Sequence, residues 1–180
     1  MGEHMGEVNI DVDGLTQSII EVATAISRAT VIRWWDQLDS RERARVLAWQ
    51  FNWSNESELP GRIVAGLTIR RRKAIEGLIS MEDVSDHLFI HLIESAPHNI
   101  GRKKRYRGVP ANLFAFACQQ AMALGFAGEV AFLAKAELVE HYKTSLGAVR
   151  IGASTRMIIP EQAARMLIDT YSMTDDTWPI

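Results

Sequence analysis

The sequence predicts one α+β domain (mixed α/β), a mixed sheet of about six or seven strands with helices on both faces. Three features of the chain predict it. Residues 62–69, 74–81 and 87–94 are strand-length apolar runs joined by the basic turn Arg70-Arg71-Arg72-Lys73 and the polar stretch Glu82–Asp86, the pattern of an antiparallel meander. From residue 112 a helix pattern, an apolar strand pattern and a second helix pattern follow in order. The chain has 180 residues, 47% hydrophobic and 23% charged, which is enough to bury a core and close to the composition of folded domains.

Each element has its own local reason. Leu15, Ile19, Val22, Ala23 and Ile26 recur at three- and four-residue steps, predicting a helix over 14–29 that Asp13 or Thr16 caps. Thr30 to Trp35 is rich in β-formers and predicts the first strand. Asp39-Ser40 opens a second helix over 39–50, and residues 51–61, ending in Leu59-Pro60-Gly61, read as a loop. In the third meander strand, period two puts His87, Phe89, His91 and Ile93 on one face.

A long basic loop follows over 97–108. Helix 112–124 carries Leu113, Phe116, Ala117, Gln120, Ala121 and Leu124 on one stripe and stops at Gly125. Residues 129–134 are apolar enough for a central strand covered on both sides. Helix 135–146 stops at Gly147, strands are expected at 148–152 and 155–159, and Pro160 begins a last helix over 160–172. Residues 1–12 are then a flexible lead-in, 13–172 the domain, and 173–180 a loose tail.

Charge and cysteine usage narrow the function classes. A net charge of −2 gives no global pull toward nucleic acid or anionic membranes. Cys118 is the only cysteine, so no intrachain disulfide forms; a reducing, cytoplasmic setting is expected, and the thiol reads as a buried small hydrophobe. No apolar run approaches the roughly 20 residues of a membrane span. Met1–Glu7 lacks the basic start and apolar core of a signal peptide. The five histidines show no metal-ligand spacing, so no metal is expected.

The chemistry concentrates between Arg105 and Tyr142. Arg105-Tyr106-Arg107-Gly108-Val109-Pro110-Ala111 is a basic, glycine-containing turn that opens into a helix. Such a turn offers backbone N–H groups and the positive end of a helix dipole to a phosphate or pyrophosphate. Tyr142 ends the next helix pattern, where a phenol could donate a proton beside a ligand.

These residues resemble the GNAT superfamily of N-acetyltransferases, whose acyl-CoA loop follows the pattern Gln/Arg-x-x-Gly-x-Gly/Ala. Arg105 and Gly108 match it; Pro110 replaces the last small residue, and Ala111 follows. The family commonly ends its next-but-one helix in Leu-Tyr-x-x-Leu-Gly-Phe; here His141-Tyr142-Lys143-Thr144-Ser145-Leu146-Gly147-Ala148 has one residue more between Tyr and Leu. An asparagine often stands seven residues before that tyrosine, where this chain has Lys135.

The resemblance covers 62–172 well and 1–61 loosely. It implies an acyl-CoA-binding core over 87–147 and transfer of acetyl, or a short acyl group, from acetyl-CoA to an unidentified amine. Backbone groups around Ile93, Glu94 and Ser95 would hold the pantetheine arm. Amides of Arg107, Gly108, Val109 and Ala111, with the Arg105 and Lys135 side chains, would hold the rest of the cofactor. Pro110 has no N–H and removes one usual donor.

By the same resemblance Tyr142 is the candidate general acid to the departing thiolate, its bland alternative being packing at a helix end. Glu94 is the candidate general base; alternatively it pairs with Arg105 or Lys135. A second reading is a non-catalytic module binding CoA or a partner, which Pro110, Lys135 and the long loop favour. A third, an acetyltransferase acting on aminoacyl-tRNA, would join the clusters 70–73 and 102–107 into one phosphate-tracking patch. A homodimer stays open.

Overall fold

The computed structural model describes residues 30–69 and 72–171. The expected helix 14–29, the lead-in, the tail after Tyr171 and residues 70–71 of the basic turn lie outside the described residues. Seven strands form one sheet: β1 (Thr30–Trp34), β2 (Ile63–Ile69), β3 (Arg72–Asp83), β4 (Leu88–Ser95), β5 (Val130–Leu133), β6 (Val149–Arg150) and β7 (Arg156–Ile159), in the order β1-β2-β3-β4-β5-β7-β6. All neighbours are antiparallel except β4 and β5. The mixed sheet is therefore as expected.

Five α-helices accompany it among the described residues: α1 (Ser40–Arg45), α2 (Trp53–Glu58), α3 (Val109–Ala123), α4 (Val139–Leu146) and α5 (Glu161–Tyr171). Two cores lie on opposite faces of the sheet, as strand alternation dictates. Ala65, Leu67, Ile79, Ile90 and Ile93 face α3, α4 and α5. Val64 and Leu78, one residue out of step with Ala65 and Ile79, face Leu38, Val46 and Trp53.

Several boundaries differ from the sequence reading. The second helix ends at Arg45 and continues as a 3₁₀ turn over Val46–Ala48. The presumed loop 51–61 contains α2, capped by Asn52, whose side chain accepts from Asn55 N at 3.1 Å. The helix read as 135–146 is a 3₁₀ turn followed by α4, and strand 148–152 shrinks to Val149–Arg150.

The shared face expected for His87, Phe89, His91 and Ile93 holds through His91 and fails at Ile93: the Phe89 and His91 rings meet at 4.7 Å and Arg156 reaches both His87 and the Phe89 ring, whereas Ile93 turns into the α3-side core. Ser80 pairs with Leu92 while Met81 pairs with Ile90, so His91 is an extra residue, a bulge in β4. The alternation resets there: Ile90 and Ile93 join the α3-side core, whereas Leu92 packs on the other. His91 instead meets Glu82 and Arg62, at 2.7 and 2.6 Å from its Nε2. Arg62 continues to Glu56 of α2, to which Ser80 also donates.

Burial, with the charge of Arg62 beside it, holds the His91 imidazole below its ordinary range despite the pull of Glu82. The unfolded chain therefore takes up this proton first. The stability His91 contributes is full above the ordinary histidine value of about 6.5 and is lost as pH falls below it. Denaturant unfolding should show lower stability at about pH 5.5 than at about pH 7.5, and His91→Gln should flatten that difference. His141, lowered in the same direction by burial, accounts for part of what is left.

Candidate active site

The parallel pairing of β4 with β5 covers Leu88–Ile90 against Val130–Phe132 and stops where the His91 bulge begins. A bulge increases local twist, which turns β4 away from its neighbour. Residues 92–95 stay with β3, through Leu92↔Ser80, Ile93↔Ile79, Glu94↔Leu78 and Ser95↔Gly77. β5 stays with β7, and Ala134 N donates to Thr155 O at 2.9 Å. A splay thus opens at the carboxyl ends of two parallel strands, the place where ligands enter open α/β sheets.

Helix α3 starts at this end. Its N-cap, Gly108, has φ +77°, a left-handed conformation that glycine adopts without strain. Pro110 stands in the first turn, where its missing N–H costs the helix nothing. Gly77 lets the helix approach the sheet: a Cβ there would lie 2.5 Å from Val109 Cγ1 and 3.0 Å from Leu113 Cδ1. Val109 and Ala111 are consequently buried, at 1% and 6% exposure, while Gly108 is half-buried and Arg105 and Arg107 are exposed. The approach to the helix start is from the Arg107–Gly108 side.

The basic loop is tied down at its neck. Glu76 occupies the bulge of β3 against β2, where Leu67 pairs with Gly77 and Thr68 with Ile75. Its carboxylate, on a residue 2% exposed, receives Asn99 Nδ2 at 2.8 Å and meets His98 Nε2 at 2.5 Å. Asn99 Oδ1 accepts from Tyr106 N at 3.0 Å, and His98 O accepts from Arg105 N at 3.0 Å. The chain between His98 and Tyr106 is thereby closed against β3 just before Gly108. Sequence reasoning missed Glu76, Gly77 and Asn99; the one readable signal was a glycine inside a strand pattern, which often marks a bulge or close approach. Within the loop, burial first and then the Arg107 charge lower the pKa of Lys104.

Ser95 is the last residue of β4, Ile93 points into the α3-side core, and Lys135 follows β5, just ahead of the 3₁₀ turn Ala136–Leu138. These residues and 105–111 gather at the carboxyl end of the parallel pair. Tyr142 lies in α4 with its ring packed against Phe132 and Phe114, at centroid distances of 5.1 and 5.9 Å. It is 1% exposed, and burial pushes its phenol up to about 12. Burial likewise raises the Cys118 thiol to about 12, so it stays protonated inside α3.

Glu94 belongs to the opposite face. Its carboxylate goes neither to Arg105 nor to Lys135 but to the segment before α2. Gln50 N donates at 2.7 Å, Phe51 N at 3.2 Å and Trp53 Nε1 at 2.7 Å. The residue is 3% exposed. Among the described residues no cluster of three or more His, Cys, Asp or Glu could hold a metal, and no helix is long and apolar enough to cross a membrane.

No family model matches the sequence, and no curated protein matches it. Solved structures do match the fold. A tyrosine-to-phenylalanine mutant of the toxin AtaT, bound to the C-terminus of the antitoxin AtaR and acetyl-CoA, superposes with TM-score 0.53 at 15% identity, covering 78% of this chain and 98% of that one. AtaTR bound with acetyl-CoA gives 0.54 at 14%, with coverages of 78% and 98%. The ribosomal-protein-S18-alanine N-acetyltransferase from Escherichia coli gives 0.52 at 12%, with coverages of 84% and 99%. These matches show the fold: this chain shares the fold of those solved structures, the mixed-sheet, GNAT-like fold expected from the sequence.

Proposed function

We propose that the chain is an acyl-CoA-dependent N-acyltransferase that moves acetyl from acetyl-CoA to an amine by direct attack in a ternary complex. The observation that carries this reading is the start of α3 at the β4/β5 splay, with left-handed Gly108 preceded by Arg102, Lys103, Lys104, Arg105 and Arg107. Amides of Arg107, Gly108, Val109 and Ala111 take the pyrophosphate, and the side chains of Arg105 and Lys135 add charge. The pantetheine arm runs along the edge of β4 over Ile93–Ser95, which β5 leaves open.

The amine nitrogen attacks the thioester carbonyl carbon. Backbone N–H groups of β4 stabilise the oxyanion; as the tetrahedral intermediate collapses the C–S bond breaks, and the proton that the nitrogen sheds is passed to the departing thiolate, giving the amide and CoA thiol. Tyr142 supplies the donor for that thiolate. Its raised pKa keeps it a phenol throughout the physiological range, and also makes it a weaker acid than an ordinary thiol near 8.5. Its contribution is therefore mainly a hydrogen bond to the departing sulfur. Glu94, already accepting three hydrogen bonds, anchors residues 50–53 and is not assigned the base.

Tyr142→Phe keeps the ring packing and removes only the donor. Thiol release should fall about 10²-fold, the low end of the general-acid range, while acetyl-CoA affinity changes less than about threefold. The activity itself is tested by thiol release from acetyl-CoA across a panel of amines. Stoichiometric N-acetylated product supports the reading; acetyl-CoA binding without product from any amine favours the non-catalytic module.

A further inference from the structure

On the sheet face opposite α3, residues 46–54 curl around a hollow of about 160 Å³. Leu47, Trp49, Phe51 and Trp53 supply its apolar lining, and Gln50, Asn52 and Ser54 contribute neutral polar groups; no ionisable side chain lines it. The curl is held in place. Trp49 N donates to Val46 O and Trp53 N to Phe51 O, both at 3.1 Å. Phe51 and Trp53 meet edge to face at 6.3 Å. Glu94 fixes the amides of Gln50 and Phe51 and the Trp53 indole from below. Trp53 is buried, whereas Leu47 is 72% exposed.

This geometry says what the hollow accepts. The hollow is open on one side and mixes apolar and neutral polar lining; by volume alone, close to the roughly 150 Å³ that takes a benzene ring, it has room for one ring or a branched aliphatic group of similar size. An ammonium placed there would lose its water with no carboxylate in the lining to replace it, the Glu94 carboxylate behind the wall being taken up by three donors. The hollow also lies next to the strand of the proposed acyl site: Glu94, which bonds its wall, lies in β4 between Ile93 and Ser95. One glutamate side chain therefore separates its wall from the strand edge that would present the thioester.

We propose that this hollow is the acceptor pocket, and that the acceptor is a primary amine attached to one aromatic ring or a comparable apolar group. Polyamines and other polycations are excluded by its chemistry. The inference rests on the acyltransferase reading and adds the acceptor class. An arylalkylamine and a peptide with an N-terminal phenylalanine carry the same recognised group, so both are probes.

The test titrates 2-phenylethylamine, a Phe-initiated dipeptide amide and spermidine into the full chain saturated with acetyl-CoA. Tryptophan fluorescence and calorimetry read binding, and thiol release is followed in parallel. The aromatic amine, the dipeptide or both should bind saturably, and whichever binds more tightly identifies the source; spermidine should not bind at the same concentrations. Leu47→Asp, at an exposed position that leaves folding intact, should weaken the aromatic probe at least tenfold, and Trp49→Ala should do the same. Binding of spermidine alone, no binding of either aromatic probe, or an unchanged affinity in Leu47→Asp overturns the inference. Aromatic binding without thiol release keeps the pocket and defeats the acyltransferase reading; thiol release with spermidine alone keeps that reading and defeats the pocket.

Discussion

Gly108→Val is expected to lower acetyl-CoA affinity by at least about 100-fold, read by calorimetry. Gly108 holds φ +77° at the N-cap of α3, a conformation that strains a β-branched residue by roughly 1–3 kcal/mol. The new side chain would also stand where a phosphate approaches the backbone. Because strain alone could disturb α3, Gly108→Asn is the companion: asparagine tolerates the left-handed region, so the fold stays and the steric effect is isolated. Its affinity should fall between those of wild type and Gly108→Val. Arg105→Ala removes a charge-assisted contact worth roughly 1.5–3 kcal/mol, about one to two decades in affinity. Normal binding by Gly108→Val would place the phosphates elsewhere.

Glu94→Ala is expected to destabilise the fold by about 3–5 kcal/mol, seen as a lower denaturant midpoint. It strands three donors at once, the partly buried Gln50 N and Phe51 N and the buried Trp53 Nε1. Glu94→Gln should be intermediate, because the amide turns an NH₂ group toward N–H donors. The same variant separates anchor from base. An anchor predicts lost stability and a raised acceptor KM, since the hollow loosens. A base predicts intact stability, a collapsed kcat and loss of the acidic limb of the pH profile.

The longer strands were legible because they carry a period-two or continuous apolar pattern that burial requires; β6, two exposed residues held only by pairing with β7, was not delimited. Helix α3 was legible in kind, but it starts at Val109 rather than at 112, and its burial runs over successive residues from Leu113 to Cys118 instead of one stripe, with Leu124 exposed. Helix α2 was not legible: Trp53-Ser54-Asn55-Glu56-Ser57-Glu58 has weak helix propensity, and two buried residues, Trp53 and Glu56, hold it in place. The His91 bulge was hidden because a bulge is a property of pairing, and no residue of β4 announces how β3 counts against it.

The candidate site divides along the same line. The basic glycine turn around Arg105 and Gly108 is a local pattern, and the structure does start a helix there; Tyr142, read as a helix end, instead lies inside α4 with its ring buried, a placement that packing sets. The role of Glu94 was not legible, since its three partners lie 41 to 44 residues away in sequence. The clasp of Glu76, His98 and Asn99 is equally invisible before β3 and the loop meet, 22 and 23 residues apart.

The most direct test of the central claim is amide chemical-shift mapping of the ¹⁵N-labelled chain with acetyl-CoA. Saturable perturbations should concentrate at Arg107, Gly108, Val109 and Ala111 and along Ile93–Ser95, with Pro110 silent and residues 46–54 nearly unmoved. No perturbation at millimolar acetyl-CoA, or a saturable set lying away from the start of α3 and the open edge of β4, would contradict it.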